Sequence, residues 1–235
     1  MPDTGVHYGH DVSGNDQGWG LEFFGYVRDN AQLLTFEFLQ YASMVFQCVL
    51  AAAIIGMALA IASYRRPWLA ALSTGVASVI FTIPSLALFG LMVPVFGLGV
   101  TPAVVALTFY ALLPIIRNGI VGLSNVDSSM VDAARGMGMG RTAILAKVEL
   151  PLAWPVVLTG IRVATQLTMG VGAIAAYVSG PGLGDQIFSG LARLGGANSL
   201  NAILAGTIGI IILALLFDAA FVLIGRLTTS RGLRV

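Results

Sequence analysis

The chain has 235 residues, 57% of them hydrophobic and only 10% charged, with a mean hydropathy of +0.89 and a formal net charge of +1. Soluble domains carry about 25% charged residues, so the composition excludes an ordinary soluble protein and points to one embedded in a membrane. The near-neutral charge offers no footing for nucleic acid, and the lone cysteine, Cys48, excludes an internal disulfide or a cysteine-rich metal site.

Residues 1–32 form a polar, glycine-rich tail without a basic leader followed by an apolar core, so the first true span is expected to direct insertion. His7 and His10 stand three apart in this tail, a weak basis for a metal site. Within "LEFFGYVRDNAQLLTFEFLQ", Phe23, Phe24, Val27, Leu34, Phe38 and Leu39 recur at near-helical spacing. That segment is read either as an interfacial helix or as a plain lead-in.

Beyond it, Asp, Glu, Lys and Arg are missing from 38–64, 67–116, 163–184 and 194–217. A spanning helix needs roughly 20 apolar residues. The second run is long enough for two and is divided by "PVFGLGVTP". The expected architecture is therefore all-α and polytopic, with about five spans near 38–63, 69–93, 102–121, 154–177 and 201–225. The runs are too long and too evenly apolar for barrel strands. The permease-like membrane body covers 33–228, with a short basic tail at 229–235.

Pro84 and Pro114 fall inside spans, where each removes a backbone hydrogen bond; a hinge or path-lining bend and a fixed packing kink are equally open. Asp218 is an acid far inside the last span, read as paired or hydrated rather than on a transport path. Arg117 and Arg162 read as residues snorkelling to the inner interface. Phe81, Phe89, Phe96, Phe109 and Tyr110 read as packing rather than as a cation cage.

Five spans put the termini on opposite sides. Nine basic residues then fall on the side of loop 124–152, against Arg28 and Arg193 on the other. The positive side faces the cytoplasm, which predicts the N-terminus outside and the C-terminus in the cytoplasm.

The loop 124–152 keeps Asp132, Arg135, Arg141, Lys147 and Glu149 in water. It reads as two short helices around Gly136, Gly138 and Gly140. Asp127 or Ser128 caps the first, which runs to about Arg135. The second, "RTAILAKVE", is expected to end at Leu150-Pro151, with Pro151 or Pro155 in the first turn of the next span. Met130, Val131, Ala133 and Ala134 give the first helix a small apolar surface, suited to a groove on a partner.

The spacing Asp132-Ala133-Ala134, three residues, Gly138, nine residues, Val148, one residue, Leu150-Pro151 resembles the EAA loop of bacterial ABC importer permeases. It departs in Asp132 for Glu and Val148 for Ile, both keeping the chemistry. The resemblance implies a type I importer permease of the cytoplasmic (inner) membrane. Its loop would be a coupling element on a cytoplasmic ATPase, formed by Met130, Val131, Asp132, Ala133, Ala134, Gly136, Gly138, Leu150 and Pro151. It further implies a second permease, the same or paralogous, and a substrate-binding protein outside.

"FTIPSLALFGLMVPVFGLG" and "FYALLPIIRNGIVGLSNVDSSMVDAARGMGM" are similar to permeases for quaternary ammonium osmoprotectants such as glycine betaine, choline and carnitine. The methionine importers are the neighbouring alternative. The turn "SGPGLGDQI", with Gly180, Gly182 and Gly184, is expected to let backbone approach the docked binding protein; a tight turn without a partner is the plainer reading. The chain lacks GxxxxGK[ST], so ATP and Mg²⁺ would sit on the partner ATPase and no cofactor on this chain. An ion-gradient-driven secondary transporter, the competing class, requires carboxylates on the path, and only Asp218 answers to that.

Overall fold

The computed structural model describes residues 18–228. His7, His10 and the basic tail after Thr228 lie outside them. The described residues form α-helices throughout, without a strand. In chain order these are α1 (Gly18–Asp29), α2 (Ala31–Ser63), α3 (Pro67–Thr82), α4 (Ser85–Phe96) and α5 (Val100–Ser124). The loop helices α6 (Ser128–Gly136) and α7 (Arg141–Ile144) follow, then α8 (Leu150–Gly172), α9 (Gly184–Ala192) and α10 (Ser199–Thr228).

Four helical stretches are long and apolar enough to cross a membrane: Ala31–Ser63, Val100–Ser124, Arg141–Val178 and Ser199–Thr228. The fifth expected span, 69–93, is not one straight helix. α3 and α4 meet at an angle of 98°. Pro84 is the cause, because a proline drives the residue before it out of the helical region, and Ile83 sits at φ −64°, ψ 128°. Pro84 is thus an exposed residue at the break, heading α4, rather than a buried kink. The bend leaves the Ile83 carbonyl without a helical partner, and the Tyr110 hydroxyl donates to it from α5. Pro114 behaves differently: it is buried within an unbroken α5.

α5 is the centre of the body, flanked by α2 and α8. Apolar burial drives association weakly between helices in lipid, so small residues must let backbones come close. That is what the sequence supplies. A Cβ on Gly56 would stand 2.8 Å from Ile115 Cγ2, and one on Gly119 2.7 Å from Ala60 Cβ. A Cβ on Gly160 would stand 2.6 Å from Asn118 Cβ and 3.0 Å from the Pro114 carbonyl. At the end away from the loop, Tyr41, Phe89, Leu107, Met169 and Leu183 are fully buried together, and the Tyr41 hydroxyl donates to the Met169 carbonyl at 2.5 Å.

The N-terminal segment is a helix of its own, α1, separated from α2 at Asn30. The Tyr26 hydroxyl donates to Gln186 Oε1 at 2.9 Å, and Gln186 Nε2 donates to the buried Glu37 at 3.1 Å, joining α1, α9 and α2. α9 lies where only a connecting turn was expected, and packs on α10. α10 turns Leu204, Ile208, Ile211, Leu215 and Leu223 outward, a surface suited to lipid.

The α5–α8 crossing yields a direct prediction. Gly160→Val overpacks it, which costs about 1–3 kcal/mol, and is expected to lower the melting temperature of the detergent-solubilised protein. Gly25→Val on α1, with nothing within 4 Å of its added Cβ, serves as control. Equal melting temperatures for the two variants contradict the crossing.

Candidate functional site: the loop between α5 and α8

α6 begins where Asp127 Oδ1 accepts a hydrogen bond from the Ser129 N–H at 2.9 Å, which satisfies one of the free donors of a helix start. The same bond holds the Asp127 carboxyl below its usual range. The far end closes just as firmly. The Met139 N–H reaches the Ala134 carbonyl at 3.2 Å and the Gly138 N–H the Arg135 carbonyl at 3.0 Å. This paired pattern is the Schellman helix stop, which needs a left-handed residue next to last. Gly138 fills that place at φ 84°. Gly140 has φ −70° and Gly136 is the last helical residue, so of the three glycines only Gly138 is required by backbone conformation.

α6 sorts its residues by face. Ala134 is buried and Val131 half-buried, towards the chain's own core. Met130, Ala133 and Met137 are exposed at i, i+3 and i+7, with Met130 51% and Met137 71% accessible. The apolar surface expected from Met130, Val131, Ala133 and Ala134 is thus divided: the outward stripe is Met130-Ala133-Met137. Asp132 pairs with Arg135 at 3.1 Å, both in water.

The second loop helix does not end at Leu150-Pro151. α7 continues through a π-helical turn, Leu145–Glu149, straight into α8. Pro151 explains the wide turn. In a regular α-helix its ring would strike the carbonyl four residues back, and it has no N–H to give. Instead the Leu150 N–H bonds the Leu145 carbonyl, five residues back. One continuous helical rod therefore runs from Arg141 to Val178.

Glu149 fastens this rod to α2. Its carboxylate is 4% exposed and accepts from Tyr64 Oη at 2.8 Å and from Arg65 Nη2 at 2.8 and 3.0 Å. The bonds to Glu149 hold the Arg65 guanidinium more firmly charged, while burial and then Glu149 push the Tyr64 phenol up to about 12. Both remain donors at any physiological pH. Sequence reasoning used Arg65 only for topology and gave Glu149 no role; the legible signal was an acid two residues before Pro151 in an otherwise apolar helix. Arg65, Arg66, Arg141 and Thr142, with Ile61 and Leu145, also line an open cavity of about 400 Å³ beside this clasp.

The other sequence-derived positions fall elsewhere. Gly180, Gly182 and Gly184 are buried against the chain itself: an added Cβ would reach 2.7 Å from Ala175 Cβ at Gly180 and 2.6 Å from Tyr41 Cβ at Gly182. Their backbone faces inward, with Ser179, Asp185 and Tyr177 exposed beside them. Arg162 does not snorkel. It forms a bidentate pair with Asp218, Nε to Oδ1 at 2.5 Å and Nη2 to Oδ2 at 2.7 Å, and Gln166 Nε2 adds 3.0 Å.

Residues 52–230 match the family model of the binding-protein-dependent transport system inner membrane component. The osmoprotectant import permease protein OsmW of Salmonella typhimurium is 38% identical over 91% of this chain and 100% of its own length. A carnitine transport permease protein of Listeria monocytogenes is 36% identical over 79% of this chain and 85% of its own. A choline transport system permease protein of Bacillus subtilis is 31% identical over 89% and 94%. Among solved structures, an inward-facing form of the MetNI methionine ABC transporter superposes with a TM-score of 0.75 at 24% identity, covering 85% of this chain and 98% of that one. At that identity it speaks for the fold alone.

Removing one partner of a buried, hydrogen-bonded charge is strongly destabilising, on the order of 3 kcal/mol. Glu149→Ala is therefore expected to speed limited proteolysis of residues 125–140 in detergent. Glu149→Gln, which keeps an acceptor for Tyr64, is expected to fall between Glu149→Ala and the parent. Parental cleavage rates in Glu149→Ala would refute the clasp.

Proposed function

The chain belongs to the family of binding-protein-dependent transport system inner membrane components, and from that premise we propose that it is the membrane-spanning subunit of an ATP-driven importer of quaternary ammonium osmoprotectants. The observation that carries the mechanism is the loop between α5 and α8. α6 is capped at both ends and presents the stripe Met130-Ala133-Met137 outward, while Ala134 is buried and Val131 half-buried. Methionine fits irregular grooves well, and a short amphipathic helix in a groove is a recurrent docking mode. We assign α6 as the coupling helix of a cytoplasmic ATPase, with Asp132 and Arg135 at its polar rim.

Force applied to α6 reaches the membrane by two routes. One is the rod Arg141–Val178, which moves with the π turn at its base. The other is Glu149, which carries the end of α2 through Tyr64 and Arg65. ATP and Mg²⁺ belong to the ATPase, and this chain performs no hydrolysis. A second permease, identical or paralogous, completes the path. The substrate-binding protein approaches from the opposite side, where Tyr177, Ser179 and Asp185 are exposed around the buried glycines. The substrate class is supported by the relatives, whose names specify osmoprotectants, carnitine and choline.

Uptake of labelled glycine betaine, choline, carnitine and methionine at high osmolarity, with and without this gene, tests the reading. Loss of a quaternary ammonium compound alone supports it, and loss of methionine alone overturns the substrate class. A β-branched residue at positive φ costs about 1–2 kcal/mol, enough for roughly a tenfold change. Gly138→Val is accordingly expected to cut uptake about tenfold at parental membrane abundance while ATP hydrolysis by the complex persists. Parental uptake by Gly138→Val would contradict the role of the Schellman turn in coupling.

A further inference from the structure

The faces that this bundle leaves open differ in chemistry. α10 turns leucine and isoleucine outward. α8 instead leaves Thr159, Val163, Gln166 and Gly170 exposed, with Arg162 beside them at intermediate exposure. These positions recur every three or four residues and so share one side of the helix.

Depth sharpens the contrast. The Trp154 indole donates to Thr228 Oγ1 at 2.7 Å and levels the loop ends of α8 and α10. Arg162 is eight residues from Trp154 and Asp218 ten from Thr228. At 1.5 Å per residue the pair lies about 12–15 Å along the helices from that bond, inside the apolar stretches Arg141–Val178 and Ser199–Thr228 that are long enough to cross a membrane. Yet the side chains are 41% and 28% accessible. Ionised side chains at that depth face the protein interior or a water-filled cavity, not lipid. The α8 face therefore borders protein or water rather than lipid.

The pair also has unused capacity. Arg162 gives Nε and Nη2 to Asp218, and its Nη1 makes no hydrogen bond among the described residues. Gln166 directs one amide N–H to Asp218 Oδ1 and has a second to offer.

We propose that Arg162, Gln166 and Asp218 form a station within the membrane for a zwitterionic solute on the transport path. The solute carboxylate meets Nη1 of Arg162 and the second amide N–H of Gln166. Its quaternary ammonium, which has no N–H to donate, lies against the Asp218 carboxylate. A solute neutral overall but charged at both ends leaves the net charge at this depth unchanged, which a lone cation does not. The assignment rests on the osmoprotectant reading above and adds the contacts that reading lacks.

The test uses the complete transporter, with ATPase and binding protein, in proteoliposomes, and follows carnitine, glycine betaine and choline. The variant Arg162→Gln with Asp218→Asn removes both charges together and leaves none unpaired. It is expected to assemble with the ATPase and to lose about tenfold or more of carnitine and betaine uptake, the scale of a lost charged hydrogen bond. Choline, without a carboxylate, is expected to lose less. Gln166→Leu changes an exposed side chain and guards against failure of the double variant to assemble; it too is expected to depress carnitine more than choline. Parental carnitine uptake in an assembled double variant, parental uptake in Gln166→Leu, or equal losses for all three solutes each overturn the station. A parent complex that moves none of the three overturns the osmoprotectant reading and the station with it, whereas a competent parent with indifferent variants overturns the station alone.

Discussion

Close approach of helix backbones in hydrocarbon is the condition for everything else in this chain. Lipid tails compete with apolar side chains for the same contacts, so glycine and alanine at the crossings bring α5 close to α2 and α8, where Ile115 and Ile116 of α5 are also buried. Ala103, Ala106 and Ala111 are fully buried along α5, and Gly119 and Gly122 continue the narrow surface towards the loop. The largest cluster of buried side chains gathers around Tyr41, Phe89 and Met169, and a second one holds Leu112, Leu113, Ile115 and Ile116 of α5. The loop between α5 and α8 then hangs from the two helices that the crossings fix most tightly.

That attachment gives the loop leverage. A helix joined to the core by a flexible tether would absorb motion instead of passing it on. Here both ends of α6 are closed by hydrogen bonds, and the rod that follows enters the bundle unbroken. The π turn at Leu145–Glu149 is the one departure from regular helix in that rod before Gly172, at the point where Glu149 grips α2. Wide turns of this kind are common at functional sites.

The sequence made the membrane class and the loop legible, because both rest on composition and local spacing. Charge-free runs located the four long helices, and Asp127 followed by Ser129 marked the start of α6. The run 67–116 misled at its centre: apolar content says that a segment belongs in the membrane, not that it crosses in one straight helix. The consequence of Pro84 depended on whether α5 could serve the freed carbonyl, and Tyr110 does so from 27 residues away. Glu149 and Arg162 escaped for the same reason, since their partners lie 84 and 56 residues off. The glycines at 180, 182 and 184 were visible, but only tertiary structure could say that they face Ala175, Tyr41 and Ala173.

Three acids of the membrane body each clasp a different pair of elements. Glu37 joins α2 to α9 through Gln186, Asp218 joins α10 to α8 through Arg162, and Glu149 joins the π turn to the end of α2 through Arg65. The crossings of α5 are of another kind. Apolar contacts have no preferred hydrogen-bond geometry, whereas a bidentate carboxylate pair resists displacement through direction as well as distance. On the proposed coupling role, these clasps are the connections that would carry a push on α6 into the bundle: α2 with the base of α8 through Glu149, and α8 with α10 through Arg162.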